Sequence, residues 1–207
     1  MDSAAFMPIG EPDTVATPDL RRAHRYSLLI RPAKLVCSEG EFVCVLRDVS
    51  ANGVSARLFH RLPAVREFTL ELQDGQAYQV ERVWERDREA GFKFTGEIDL
   101  PRLIGEMGAH RKRGLRLSLN FPITVTTGTM RTMATVENIS QQGARFECDE
   151  RLAIDQSLRI EGRRLRETRA KVRWRRGNHY GVVFDDTFSL ADFALVMVRL
   201  QAPNLLV

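Results

Sequence analysis

The 207-residue sequence lacks any apolar run of the length a bilayer-crossing helix needs, about 18 residues or more. No membrane span is therefore expected. Its amino end, MDSAAFMPIGEPDTVATPDL, is acidic and proline-bearing, without the basic-then-apolar order of a secretory leader, so the expected location is the cytoplasm. Cysteine is scarce. Cys37, Cys44 and Cys148 sit in or beside apolar stretches with no C-x-x-C or histidine-linked spacing, which argues against zinc and for buried free thiols. The four histidines, His24, His60, His110 and His179, are scattered, and there is no G-x-S-x-G, no H-E-x-x-H and no glycine-rich phosphate loop. Hence no catalytic residue, metal or cofactor is assigned, and the chain reads as a binding module rather than an enzyme.

What is present is a repeat. Trp84, Gly91 and Phe94 match Trp174, Gly181 and Phe184, each 90 positions on, and Ser50 with Gly53 matches Ser140 with Gly143. Further upstream the offset becomes 91, aligning Arg21, Arg22 and Arg25 with Lys112, Arg113 and Arg116, and the one-residue difference is expected in an intervening loop. Two homologous domains follow, 20–110 and 111–207, with 1–19 as a disordered arm. Their charges differ: residues 1–110 hold 14 Lys+Arg against 17 Asp+Glu, net −3, whereas residues 111–207 hold 17 against 10, net +7.

Each half reads as short strands closed by one helix. LLIRPAKLVC, EFVCVLRDVS and GVSARLF are separated by turn signals, and FTLELQ and AYQVERVWE flank Asp74-Gly75, a hairpin signal. Such spacing favours a small antiparallel barrel, in which closure removes exposed edges. The period then changes to that of a helix. Leu100, Leu103, Ile104 and Met107 share a face behind Asp99, as do Leu190, Phe193, Ala194, Met197 and Leu200 behind Ser189. The first helix is the candidate for setting how the barrels meet. Trp84 and Trp174 occupy interior-type strand positions and are read as core.

Arg21-Arg22-Ala23-His24-Arg25 precedes the first strand, and Asp48-Val49-Ser50-Ala51-Asn52-Gly53 turns the second strand into the third. Guanidinium forks can stack on a purine, bind guanine O6 and N7 in pairs, and neutralise phosphate. Asp48 can accept from guanine N–H donors or hold an arginine, Ser50 adds a short donor and acceptor, and Gly53 permits a positive φ or a close ligand approach. His24 is read as a solvated arm residue, with base stacking as the lesser alternative.

These residues resemble the PilZ family, whose signature is R-x-x-x-R followed roughly twenty residues later by [DN]-x-S-x-x-G. The resemblance covers both halves and implies two tandem six-stranded antiparallel barrels, each followed by a C-terminal helix. It also implies a receptor for the bacterial second messenger cyclic di-GMP, with Arg21, Arg22, Arg25, Asp48, Ser50 and Gly53 as ligand-binding residues. Leu20, where another arginine could stand, favours one ligand molecule per site over an intercalated dimer. The messenger would order the arginine arm and change contacts with an unidentified downstream protein.

The second copy, Lys112, Arg113, Arg116, Asn138, Ser140 and Gly143, departs from that pattern. Lysine cannot fork or stack as arginine does, and asparagine lacks the full carboxylate charge, so a weaker or structural second site is expected. Its strand TRAKVRWR should turn Ala170, Val172 and Trp174 inward and Arg169, Lys171, Arg173 and Arg175 outward. With no surface aromatics interleaved, this row reads as a solvated face, and nucleic acid is set aside as a partner. Two alternatives stay open: a PilZ-type adaptor that binds no messenger, and a nucleic-acid-binding barrel using the basic stretch 159–176.

Overall fold

The computed structural model describes residues 25–105, 114–128 and 130–206. The 1–19 arm, Leu20, Arg21, Arg22, His24, Met107, Lys112 and Arg113 lie outside the described residues.

Twelve strands form two closed antiparallel barrels. The first comprises β1 (Tyr26–Cys37), β2 (Gly40–Ser50), β3 (Gly53–Leu58), β4 (Glu67–Leu72), β5 (Ala77–Arg86) and β6 (Glu89–Phe94), in the order β1-β2-β3-β6-β5-β4. The second comprises β7 (Arg116–Thr127), β8 (Met130–Ser140), β9 (Gly143–Glu147), β10 (Ser157–Gly162), β11 (Leu165–Arg176) and β12 (His179–Phe184), in the same order. Alternation drives closure. In β4, Phe68, Leu70 and Leu72 point into the core while Glu67, Thr69 and Glu71 face out. The β4–β5 turn follows the Asp74-Gly75 signal: Gly75 adopts φ 89°, and the Gln76 amide donates to Asp74 Oδ1 at 3.0 Å.

The change of repeat offset lies inside a strand, not in a loop. β1 passes from Ser27 to Arg31 while its partner β2 passes only from Asp48 to Leu46, and β7 passes from Ser118 to Phe121 against Asn138 to Val136. Both strands therefore bulge, and the bulge of β1 carries one residue more. This register makes Ser27 the counterpart of Ser118, and hence Arg25 that of Arg116.

The tryptophans are a correction. Trp84 and Trp174 are 42% and 43% exposed, because bulges between Arg82 and Trp84 and between Val172 and Trp174 break the alternation that would turn them inward. Each indole instead lies over the glycine paired with it: a Cβ on Gly91 would meet Trp84 Nε1 at 2.1 Å, and one on Gly181 would meet Trp174 Nε1 at 2.0 Å. The thiols also divide. Cys44 and Cys148 are buried, whereas Cys37 is only partly so. Desolvation pushes the Cys44 thiol up to about 12.

Helix α1 (Leu100–Ile104) begins at Asp99, whose carboxylate accepts from the Arg102 amide at 3.0 Å, and it buries Leu103 in the first barrel. The buried Arg31 guanidinium donates to the Leu103 carbonyl, placing a cation at the carbonyl end of this helix. Helix α2 (Leu190–Gln201) begins at Ser189, which accepts from the Asp192 amide at 3.1 Å. It is α2, not the first helix, that joins the barrels. Phe193, Ala194 and Met197 enter the second core, whereas Val198, and beyond the helix Ala202 and Leu205, belong to the first. In return, Val43 of β2 packs into the second core.

Polar groups fix this seam. The Gln201 side chain accepts from the Glu41 amide at 2.8 Å and donates to the Glu41 carbonyl at 2.9 Å. The Glu41 carboxylate pairs with Lys34 at 2.8 Å and accepts from the Ser118 amide of the second barrel at 3.0 Å. Nearby, the Arg61 amide donates to the Leu205 carbonyl at 3.1 Å. His60, buried edge-on to Phe42, contacts the Arg61 carbonyl through Nδ1, while its Nε2 has no partner among the described residues.

Two outcomes are expected. Gly53 has no positive φ; it must be glycine because a Cβ would meet the Phe92 carbonyl oxygen of β6 at 2.3 Å. Backbone cannot step aside as a side chain can, so Gly53→Ala should lower stability by about 3 kcal/mol, the upper range for overpacking, in urea unfolding. The second concerns acid. Desolvation pushes the His60 imidazole below its ordinary 6.5, so between that folded-state value and 6.5 the unfolded chain binds more protons. Its contribution is thus complete above 6.5 and declines as pH falls below it. Urea midpoints should drop more steeply on acidification in the wild type than in His60→Leu, and parallel drops would absolve His60.

Candidate functional site

The β1–β2 register sets Tyr26 opposite Val49 and Ser27 opposite Asp48, so Arg25, exposed at the mouth of β1, adjoins the Asp48–Ser50 end of β2. Asp48 is partly buried and its two oxygens are separately held. Oδ1 accepts from the Ser27 hydroxyl at 2.9 Å and Oδ2 from the Ser55 hydroxyl at 3.2 Å. Each oxygen has two acceptor positions, so this bonding aims the carboxylate without exhausting it. Among the described residues, Asp48 is oriented by hydroxyls rather than by a guanidinium.

Ser50 and Gly53 serve the turn. The Ser50 hydroxyl donates to the Gly53 carbonyl at 3.3 Å and accepts from the Asn52 amide at 3.4 Å. Gly53 then runs against the β6 backbone, so its smallness serves strand packing rather than a positive φ. Of the first motif, Arg25, Asp48, Ser50 and Gly53 thus converge on one end of the barrel, while Arg21 and Arg22 lie outside the described residues.

The second copy is assembled as completely where it is described. Arg116 Nη1 donates to Asn138 Oδ1 at 2.9 Å, and the buried Ser140 hydroxyl donates to the Gly143 carbonyl at 3.1 Å. Gly143 is held small by the Val182 carbonyl oxygen, 2.1 Å from where a Cβ would stand. Lys112 and Arg113 lie outside the described residues.

The surroundings of the two copies differ. Where the first barrel has Ser55, the second has Arg145, which pairs with Glu137 and sits 6.0 Å from the Trp174 ring centroid. His179 Nδ1 reaches the other Glu137 oxygen at 3.0 Å. Glu137, Glu147 and His179 bring ligand atoms within 4.8 Å of one another, but Arg145 already supplies a cation to Glu137. Glu41 of the first barrel meets the Ser118 amide beside the Arg116–Asn138 pair.

Sequence reading missed Ser27, Ser55, Arg145 and Glu41. The first two follow from strand register, since both flank Asp48 on neighbouring strands, but that register depends on bulges which leave no mark in the residue pattern. Glu41 reaches the second motif only through the packing of one barrel on the other.

Solved structures with similar folds include the Borreliella burgdorferi PlzA protein in complex with c-di-GMP, at 9% identity and TM-score 0.35, covering 87% of this chain and 94% of that one. The Bacillus subtilis inhibitor of motility is 14% identical at TM-score 0.34, covering 82% and 95%. Escherichia coli YcgR in complex with c-di-GMP is 13% identical at TM-score 0.34, covering 82% of each chain. No curated protein matches the sequence. The family model of the PilZ domain matches residues 110–196, the copy whose motif departs further from the signature. That match places a PilZ domain in the second barrel, and the first barrel has the same strand order.

Proposed function

We propose that the chain is a receptor for cyclic di-GMP whose principal site is on the first barrel. The observation that carries this reading is Asp48: a carboxylate held by Ser27 and Ser55 at the strand end that adjoins Arg25. A guanine edge presents two N–H donors to such a carboxylate, and N7 and O6 to an arginine. Arg25, with Arg21 and Arg22 from the leader, stacks on the bases and neutralises the phosphates. Ordering of that leader is the signal, read by a downstream protein through a changed contact surface. The messenger shifts the equilibrium only as far as it favours the ordered state.

A second reading places ligand on the second barrel as well. Its support is the Arg116–Asn138 hydrogen bond, which holds a guanidinium ready at the equivalent strand end, together with the PilZ match over the same residues. Asp48 keeps the first barrel ahead, because its full charge accepts from guanine more strongly than an amide does.

Calorimetry on the full chain distinguishes the readings. Arg25→Ala and Asp48→Ala should each weaken cyclic di-GMP binding about 10- to 100-fold, the loss expected for a charge-assisted hydrogen bond. Arg116→Ala and Asn138→Ala should weaken it by less than about threefold. The reverse ranking would move the principal site to the second barrel, and absence of heat in the wild type would leave a PilZ-type adaptor. Amide exchange over residues 18–26 should slow with ligand, and unchanged exchange would defeat the ordering mechanism.

A further inference from the structure

The two barrels share a frame, so each serves as a reference for what the frame requires. On the outer face of the first, Thr69 of β4 lies opposite Gln79 of β5, and their side chains are hydrogen-bonded at 3.0 Å. Two positions on, Glu81 is satisfied by Lys93 and by Arg66. In the second barrel the equivalent pair is Arg159 opposite Arg169, both exposed, and the equivalent of Glu81 is the exposed Lys171. Like charges directly opposed across a ladder repel. Among the described residues, none of these three cations has an ion-pair partner, whereas their neighbour Arg173 has Asp155 at 3.2 Å. The frame does not need this basic row, since the first barrel closes without it.

The structure also supplies what the sequence reading found missing. Trp174 is exposed within the same strand, backed by Gly181 and followed by exposed Arg175 and Arg176. Alternate residues of a strand lie about 6.7 Å apart, so Arg169 and Lys171 form a line of charge that runs, past the bulge at Arg173, to the exposed Trp174. Evenly spaced anions joined to flat bases match such a line, and base stacking requires that the bases be unpaired.

We propose that the outer face of β10 and β11 binds single-stranded nucleic acid, with Arg159, Arg169 and Lys171 on phosphates and Trp174 stacked on a base. The surface is separate from the Asp48 site and does not depend on it.

The test is fluorescence anisotropy of the full chain with a labelled oligothymidylate of about 15 nucleotides, across a salt series. The key variant combines Arg159→Thr, Arg169→Gln and Lys171→Glu, the residues with which the first barrel folds at the same positions. It should bind at least about tenfold more weakly and lower the slope of log affinity against log salt by about 2. Trp174→Leu should weaken binding about tenfold and leave that slope unchanged, as loss of stacking without loss of charge requires. Circular dichroism of both variants should match the wild type. No wild-type binding at low salt, an unaffected triple variant, or equal affinity for a duplex of the same length would overturn the proposal. Binding to phosphatidylglycerol vesicles but not to the oligonucleotide would overturn it too, and would assign the face to membrane.

Discussion

Both barrels rest on a single helix. Six strands' worth of alternation can close a small barrel, but each barrel leaves part of its apolar interior uncovered, and α2 with the residues after it covers both. Phe193 and Met197 fill one core while Val198 and Leu205 fill the other. Burying Val198 and Leu205 contributes about 1.5–3 kcal/mol each, enough to hold the arrangement against the modest net stability of small domains. The polar contacts at this seam then set orientation rather than strength. Gln201 reads both backbone groups of Glu41, and Gly40 leaves it room to do so, since a Cβ there would stand 2.4 Å from Gln201 Oε1.

That orientation decides how the two copies of the motif differ. The motif in the first barrel ends in a carboxylate aimed by hydroxyls, with Arg25 at the adjoining mouth of β1. The motif in the second lies beside the seam, with Arg116 already engaged by Asn138 and Glu41 approaching from the other barrel. Around it, Arg145 pairs with Glu137, and His179 Nδ1 approaches the other Glu137 oxygen. Duplication therefore yielded two environments from one pattern, differing in which charges are spoken for by the protein itself.

Much of the architecture was legible in the residues. The offset between Trp84 and Trp174 gave the duplication, Asp74-Gly75 marked its hairpin, and Asp99 and Ser189 marked the helix starts. What escaped has one physical origin, the irregular strand. A bulge in β1 absorbed the length change assigned to a loop, and bulges before Trp84 and Trp174 turned both indoles outward although strict alternation would bury them. Periodicity assumes an unbroken pleat, and nothing in the side chains announces where a pleat slips. The positive φ offered for Gly53 is absent for a related reason: its smallness answers a carbonyl of β6, a contact between residues distant in sequence. The double face of α2 escaped because its stripe points at one core, and Val198 alone within the helix belongs to the other.

The exchange of residues across the seam bears on how the molecule comes apart. A cut between the barrels would strip Val198, Ala202 and Leu205 from the half they shelter and leave them bare on the other, while Val43 would lose its socket. Fragments with such greasy flanks cling to one another. The pair should therefore melt as a single cooperative body, and duplication here has produced one folding unit out of two similar shells.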